Sequence, residues 1–286
     1  MNITLSLRKL RACAGNPLGY RLALFEPSAK AATAAPPVEM PLNEYLGQHL
    51  ILRFTGDIHC IHCGRKTRRS FQQGYCYPCS QRLAACDLCM VKPERCHFAQ
   101  GTCREPEWAM GHCMQAHRVY LANTSGLKVG ITRESQIPTR WIDQGASQAL
   151  AILHVATRHQ AGLVEVALAE FVKDKTDWRA MLKGEPPELD LPAARDRLLA
   201  QALPQLTAIR ERFPPEALRI DLDSTPVRLS YPVRHYPAQP KSLNLDKDPC
   251  IEGQLWGIKG QYLIFDTGVV NVRKFAGYCV RLTTPA

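Results

Sequence analysis

The sequence predicts an α+β protein: a small mixed α/β domain, preceded by a cysteine-rich zinc-ribbon segment and flanked by β-rich N- and C-terminal parts. Three observations carry this expectation. Nine of the twelve cysteines fall between Cys60 and Cys113, helix-like and strand-like periodicities alternate from Arg118 to about Pro215, and the flanking stretches are short apolar runs punctuated by glycine. The expected divisions are residues 1–57, 58–117, 118–215 and 216–286.

In the first division, Tyr20–Phe25 and Leu50–Phe54 read as strands, with an Ala- and Pro-rich surface loop from Pro27 to Pro41 between them. The cysteine-rich segment has few periodic apolar positions, so its order must come from metal. In the third division, Arg118–Ala122 and Leu127–Thr132 form a hairpin around the turn Asn123-Thr124-Ser125-Gly126. A short helix through Pro138–Ile142, a strand over Ala149–Thr157 and helices over Ala161–Lys173 and Pro192–Arg212 follow. The last division reads as strands at Leu218–Leu222, Val227–Tyr231 and within Leu255–Val280. These C-terminal strands and the N-terminal ones are candidates for one shared sheet or barrel, with the middle of the chain inserted.

Composition narrows the class. Of 286 residues, 45% are hydrophobic and 22% charged, as in a globular protein with a core rather than a disordered chain. No run approaches the roughly 18 apolar residues that span a bilayer. Met1–Lys9 lacks a long apolar stretch, so a cytoplasmic location is expected and no membrane partner. Thirty-six Lys and Arg against 26 Asp and Glu give +10, a balance that suits a polyanion.

In a reducing compartment, clustered cysteines point to metal rather than to disulfides. Cys60-x2-Cys63 and Cys76-x2-Cys79 are two knuckles that together supply a tetrahedral four-thiolate zinc shell. His59 and His62 lie beside this site rather than in it. A second set, Cys86, Cys89, Cys96, Cys103, Cys113 and His117, offers donors for a further zinc, with Cys86 and Cys89 supplying half its shell; an iron–sulfur cluster is the alternative. About two structural zinc ions are expected. Cys13, Cys250 and Cys279 read as small buried residues.

Between the knuckles, Arg65, Lys66, Arg68 and Arg69 form a basic loop beside Phe71, Tyr75 and Tyr77. From Cys60 to Arg118 there are nine Lys and Arg against four Asp and Glu, so 9 − 4 = +5, half the excess of the chain. This favours phosphate contact with nucleic acid, DNA rather than RNA; the bland reading is a solvated loop.

Tyr120, Lys128-Val129-Gly130, Arg140 and Glu165 occur in an order that resembles the GIY-YIG nuclease superfamily, in its branch with a KIG-like second motif. Val119-Tyr120-Leu121 stands where GIY would and Lys128-Val129-Gly130 where YIG would, over about Arg118 to Trp178. The whole chain also resembles an uncharacterised bacterial family of unknown function with cysteine pairs ahead of such a unit. The superfamily resemblance implies metal-dependent phosphodiester hydrolysis by an endonuclease. Glu165 would hold magnesium or manganese, Arg140 would clamp phosphate and Tyr120 would contact the nucleophile. Lys128 departs from the second tyrosine, and is a poor general base unless burial lowers its pKa; Arg133, His154 and His159 are possible substitutes. Structural roles compete with each assignment: Tyr120 packed on a strand, Glu165 solvated, or Arg140 and Glu165 locked in a salt bridge. The competing functions are a nucleic-acid-binding module without catalysis and a zinc-braced protein-interaction adaptor.

Overall fold

The computed structural model describes residues 2–26, 30 and 37–284. It opens with β1 (Asn2–Ser6), β2 (Arg11–Cys13) and β3 (Gly19–Leu24), followed by β4 (Val38–Pro41). Most of the expected Ala- and Pro-rich loop lies outside the described residues, and its described end is β4 rather than loop. Pairing with β3 explains the difference: Met40, 5% exposed, stands opposite Leu22 and brings the segment into the sheet. β5 (His49–His59) runs five residues past the expected end, and β6 (Lys66–Thr67) returns alongside it. α1 (Tyr77–Arg82) and a series of single 3-10 turns lead to α2 (Pro106–His112).

Then come β7 (His117–Asn123), β8 (Leu127–Arg133), α3 (Thr139–Asp143), β9 (Gln148–Val155) and α4 (Arg158–Leu168). α4 starts earlier than its apolar spacing suggests. Thr157 caps it, accepting from Gln160 N while Gln160 Oε1 accepts from Thr157 N, a reciprocal capping box. α5 (Trp178–Met181) follows, and the single helix expected over Pro192–Arg212 is two, α6 (Leu191–Gln201) and α7 (Leu203–Arg210). Pro204 in the first turn of α7 has no N–H to continue a helix, so the break falls at Ala202. β10 (Leu218–Ile220) and β11 (Val227–Arg228) are shorter than expected. β12 (Cys250–Lys259), β13 (Tyr262–Phe265), β14 (Gly268–Asn271) and β15 (Tyr278–Thr283) complete the chain.

The described chain forms two compact units. One comprises residues 1–81, 182–184 and 230–286, the other 82–181 and 185–229. Strand pairing causes the first grouping: its main sheet has the order β1-β15-β5-β12-β13-β14, with β6 on β5, so the two ends of the chain share one sheet. β2, β3 and β4 form a small second sheet. The cysteine-rich segment is therefore split, its first four cysteines in this unit and the other five in the second.

The second unit is built on an antiparallel sheet of order β10-β9-β7-β8, with β11 also on β9. Both faces are covered, which explains the nearly unbroken apolar strands. Val119, Leu121, Val129 and Ile152 face α4, α6 and α7, while Tyr120, Ala122, Ala149 and Ala151 face Trp141 on α3. Among the described residues, no helix is long and apolar enough to cross a membrane.

Candidate functional site

β5 delivers the chain directly to Cys60. Cys60 N donates to Arg65 O and Gly64 N to Cys60 O, both at 2.9 Å, closing the first knuckle into a tight turn. Ile61 N donates to Gly74 O at 2.8 Å and so draws the second knuckle, at the start of α1, against the first. All four Sγ atoms of Cys60, Cys63, Cys76 and Cys79 lie within 4.8 Å of one another, with Cys63 and Cys76 at 3.8 Å. Burial opposes ionisation of Cys60, but N–H groups of Cys63, Cys76 and His62 outweigh it and bring the thiol down to about 7. Four convergent thiols at this spacing fit a structural zinc. His59 Nδ1 turns away to Cys279 Sγ at 3.3 Å, and His62 is not among the four donors.

Cys89, Cys96, Cys103 and Cys113 line one cavity, together with Phe98 and Trp108. Cys86 is buried and does not line that cavity. His117 is also outside it: fully buried at the head of β7, with Nδ1 2.6 Å from Gln115 O and its pKa brought to about 4 by burial. Asp87, Cys89 and His97 have ligand atoms within 4.8 Å of one another. The Asp87 carboxylate, however, is engaged by Arg104 Nε at 2.7 Å and by Cys89 N at 3.4 Å.

Arg65, Lys66, Arg68 and Arg69 are all exposed, as a phosphate-contacting loop requires. They are not equivalent. Lys66 lies on β6 and pairs with Asp57 at 2.5 Å, whereas Arg69 stands over the Phe71 ring at 5.6 Å.

The sheet of the second unit brings Tyr120, Lys128, Arg140 and Glu165 into one electrostatic neighbourhood. Tyr120 on β7 pairs across the hairpin with Gly130 on β8. A Cβ at Gly130 would stand 2.6 Å from Tyr120 Oη, so only glycine lets the ring lie across that strand. Tyr120 is 0% exposed, and burial pushes its phenol up to about 12. Lys128 is 5% exposed, and burial followed by the charge of Arg140 brings its ammonium down to about 8, against the opposing pull of Glu165 and Asp174. Burial raises the Glu165 carboxyl, while Arg158, Lys128 and Arg140 act the other way. Glu165 and Arg140 are half-buried and so reach solvent. No ion pair joins them among the described residues.

Two residues of this neighbourhood carry no signal in the sequence. The Gln144 amide stands between Tyr120 and Arg140. In the orientation that satisfies both neighbours, it donates to Tyr120 Oη at 2.7 Å and accepts from Arg140 Nη2 at 3.2 Å. Arg158 opens α4, donating from Nη2 to Met90 O at 2.8 Å, and its charge acts on both Glu165 and Cys113. A glutamine after a short helix and an arginine beside a cap carry no motif; packing alone gives them their places. The candidate substitutes for the second tyrosine have other partners: Arg133 with Gly111 O, His154 with Glu134 and His159 with the Phe213 ring. Trp141 is buried against Tyr120, as a packing residue would be.

The sequence model of a family described as "Protein of unknown function (DUF2797)" matches residues 47–280, most of the chain and every candidate site residue of this subsection. No curated protein and no solved structure matches.

Proposed function

The chain belongs to the DUF2797 family, and we propose that it is a zinc-containing, metal-dependent endonuclease acting on DNA. The observation that carries this reading is the gathering of Tyr120, Lys128, Arg140 and Glu165 around the β7–β8 hairpin. Their order along the chain is the one that carries the GIY-YIG resemblance.

Glu165, the half-buried carboxylate, would hold a magnesium or manganese ion. One protein carboxylate suits magnesium, which keeps most of its shell for water and phosphate oxygens. Such an ion supplies Lewis-acid stabilisation of charge on the phosphoryl group. Arg140 contacts phosphate, and Gln144 fixes its guanidinium in one orientation. Burial keeps the Tyr120 phenol protonated, so it takes no proton from water and acts through Gln144 as a positioning residue. Lys128, neutral above about pH 8, is the group suited to accept that proton. The exposed arginines of the Arg65–Arg69 loop add sequence-independent phosphate affinity.

A cleavage assay on single-stranded DNA, duplex DNA and RNA with magnesium or manganese tests the proposal. Glu165→Ala should lower cleavage roughly a hundredfold to a thousandfold, a range typical for removal of one transition-state interaction, while binding is retained. Absence of cleavage by the wild type, or cleavage indifferent to Glu165→Ala, would overturn it. Full burial of Tyr120 favours a second reading, a binding module without catalysis; salt-dependent DNA binding with no turnover would identify that case.

A further inference from the structure

We infer that the cavity lined by Cys89, Cys96, Cys103 and Cys113 holds an iron–sulfur cluster of the four-iron type, each thiolate binding one iron. The inference is independent of the endonuclease reading. It begins with how the four thiols are delivered. In the zinc knuckles, each Cys-x2-Cys turn contributes two sulfurs to one point. Here each cysteine sits on its own turn: Cys89 within the 3-10 turn Leu88–Met90, Cys96 at the end of Pro93–Arg95, Cys103 after Phe98–Gln100, and Cys113 at the C-terminus of α2. Four separate turns surround a volume, whereas two knuckles pinch a point.

The spacing agrees. A single tetrahedral zinc with Zn–S about 2.3 Å holds its thiolates within about 4 Å of one another. The four sulfurs at Cys60, Cys63, Cys76 and Cys79 meet a 4.8 Å limit; the four around the second cavity do not. They nevertheless face a common space, since all four line it and the charge of Cys89 is felt with those of Cys96, Cys113 and Cys103. A cubane of four irons and four sulfides separates its thiolates more than one ion does, and Cys₄ is its usual ligand set. The remaining wall combines Phe98 and Trp108, which shield the space from water, with Asp87, His97 and Arg104.

Charge is also provided for. A four-iron cluster with four thiolates carries net negative charge, and the charges of Arg158 and Arg133 act on Cys113. Arg158 N donates to Cys113 O at 2.8 Å, and its buried Nε has no hydrogen-bond partner. The alternative donor group, Asp87 with Cys89 and His97, offers one thiol and a carboxylate already bonded to Arg104. The surrounding turns are seated firmly: Gly162 on α4 lets the Pro93–Glu94 turn approach so closely that a Cβ there would stand 2.6 Å from Glu94 N.

The test uses the full-length protein, purified without oxygen and reconstituted with ferrous iron and sulfide. Iron, acid-labile sulfide and zinc are measured along with visible absorption and, after reduction, electron paramagnetic resonance. The expected result is roughly four iron and four sulfide per chain, with one zinc retained and the spectra of a four-iron cluster. Cys96→Ala and Cys103→Ala should each lose the iron but keep the zinc, which reports a folded first unit, and Cys86→Ala should keep both. Two zinc ions per chain with no iron uptake would overturn the inference in favour of a second single-ion site. Absence of any metal beyond one zinc, or loss of iron on Cys86→Ala with circular dichroism unchanged, would overturn it as well.

Discussion

In the proposed mechanism, Lys128 sets stability against chemistry within one side chain. Its ammonium is buried and faces Arg140, with Glu165 and Asp174 only partly offsetting, so its pKa falls from 10.5 to about 8. The sign follows from linkage. Between pH 8 and 10.5 the unfolded chain holds a proton that the folded chain has released, so folding gains from rising pH across that window. Below about pH 8 both states are protonated and the folded protein bears the full cost of the buried charge. The shift from 10.5 to about 8 corresponds to roughly 3 kcal/mol. Lys128→Met should therefore raise stability at pH 7 by up to that amount, with the gain fading toward pH 10.5, as denaturant titration at a series of pH values would read. Cleavage should be lost in the same variant, and wild-type activity should climb through pH 8. A variant that is destabilised at pH 7 would show that the ammonium is paired rather than strained.

At the scale of single elements, the loop from Arg65 to Arg69 illustrates how a charge count overstates an interface. The sequence shows four cations in five residues, but the pairing of β6 with β5 sets Lys66 beside Asp57 and neutralises it locally. Arg65→Ala, Arg68→Ala and Arg69→Ala combined should flatten the salt dependence of DNA binding by about 0.9 in slope for each phosphate that is no longer neutralised. Lys66→Ala should have a smaller effect than any one of them. Filter binding or fluorescence anisotropy across salt concentrations decides it, and an unchanged triple variant would move the interface elsewhere. The β7–β8 hairpin is legible in the sequence because its alternation and turn residues are local signals. So are the two Cys-x2-Cys knuckles, whose spacing alone fixes two sulfurs on one turn. The second thiol set is less legible, because four separate turns, at Leu88–Met90, Pro93–Arg95, Phe98–Gln100 and the end of α2, bring Cys89, Cys96, Cys103 and Cys113 to one cavity.

Across the whole molecule, the features least visible in sequence are those made by residues far apart along the chain. β1 pairs with β15 through partners such as Leu5↔Val280, and no local pattern in either strand names its partner. Gln144 and Arg158 gain their roles the same way, from what the fold sets beside them. This long-range sheet has a consequence for metal dependence. The first unit buries Leu5, Leu52, Ile251, Leu255, Val280 and Leu282 on strands that pair with one another, so it has an apolar core of its own. The knuckles between Cys60 and Cys79 bury little beyond their thiols, so a zinc ion held there, which contributes on the order of 10 kcal/mol in small zinc domains, would be their main source of order. Zinc removal should therefore unfold the knuckles without dissolving either sheet. Hydrogen exchange read by mass spectrometry should show residues 60–79 losing protection in chelator while peptides from β12, β13, β7 and β9 keep theirs. Cys63→Ser should reproduce the pattern without chelator. Because the knuckle carries the Arg65–Arg69 loop, DNA affinity should fall in parallel, whereas Glu165 and its neighbours on the other sheet should stay in place. Loss of protection throughout the first unit would mean instead that the ion, and not the strand pairing of the chain ends, holds that unit together.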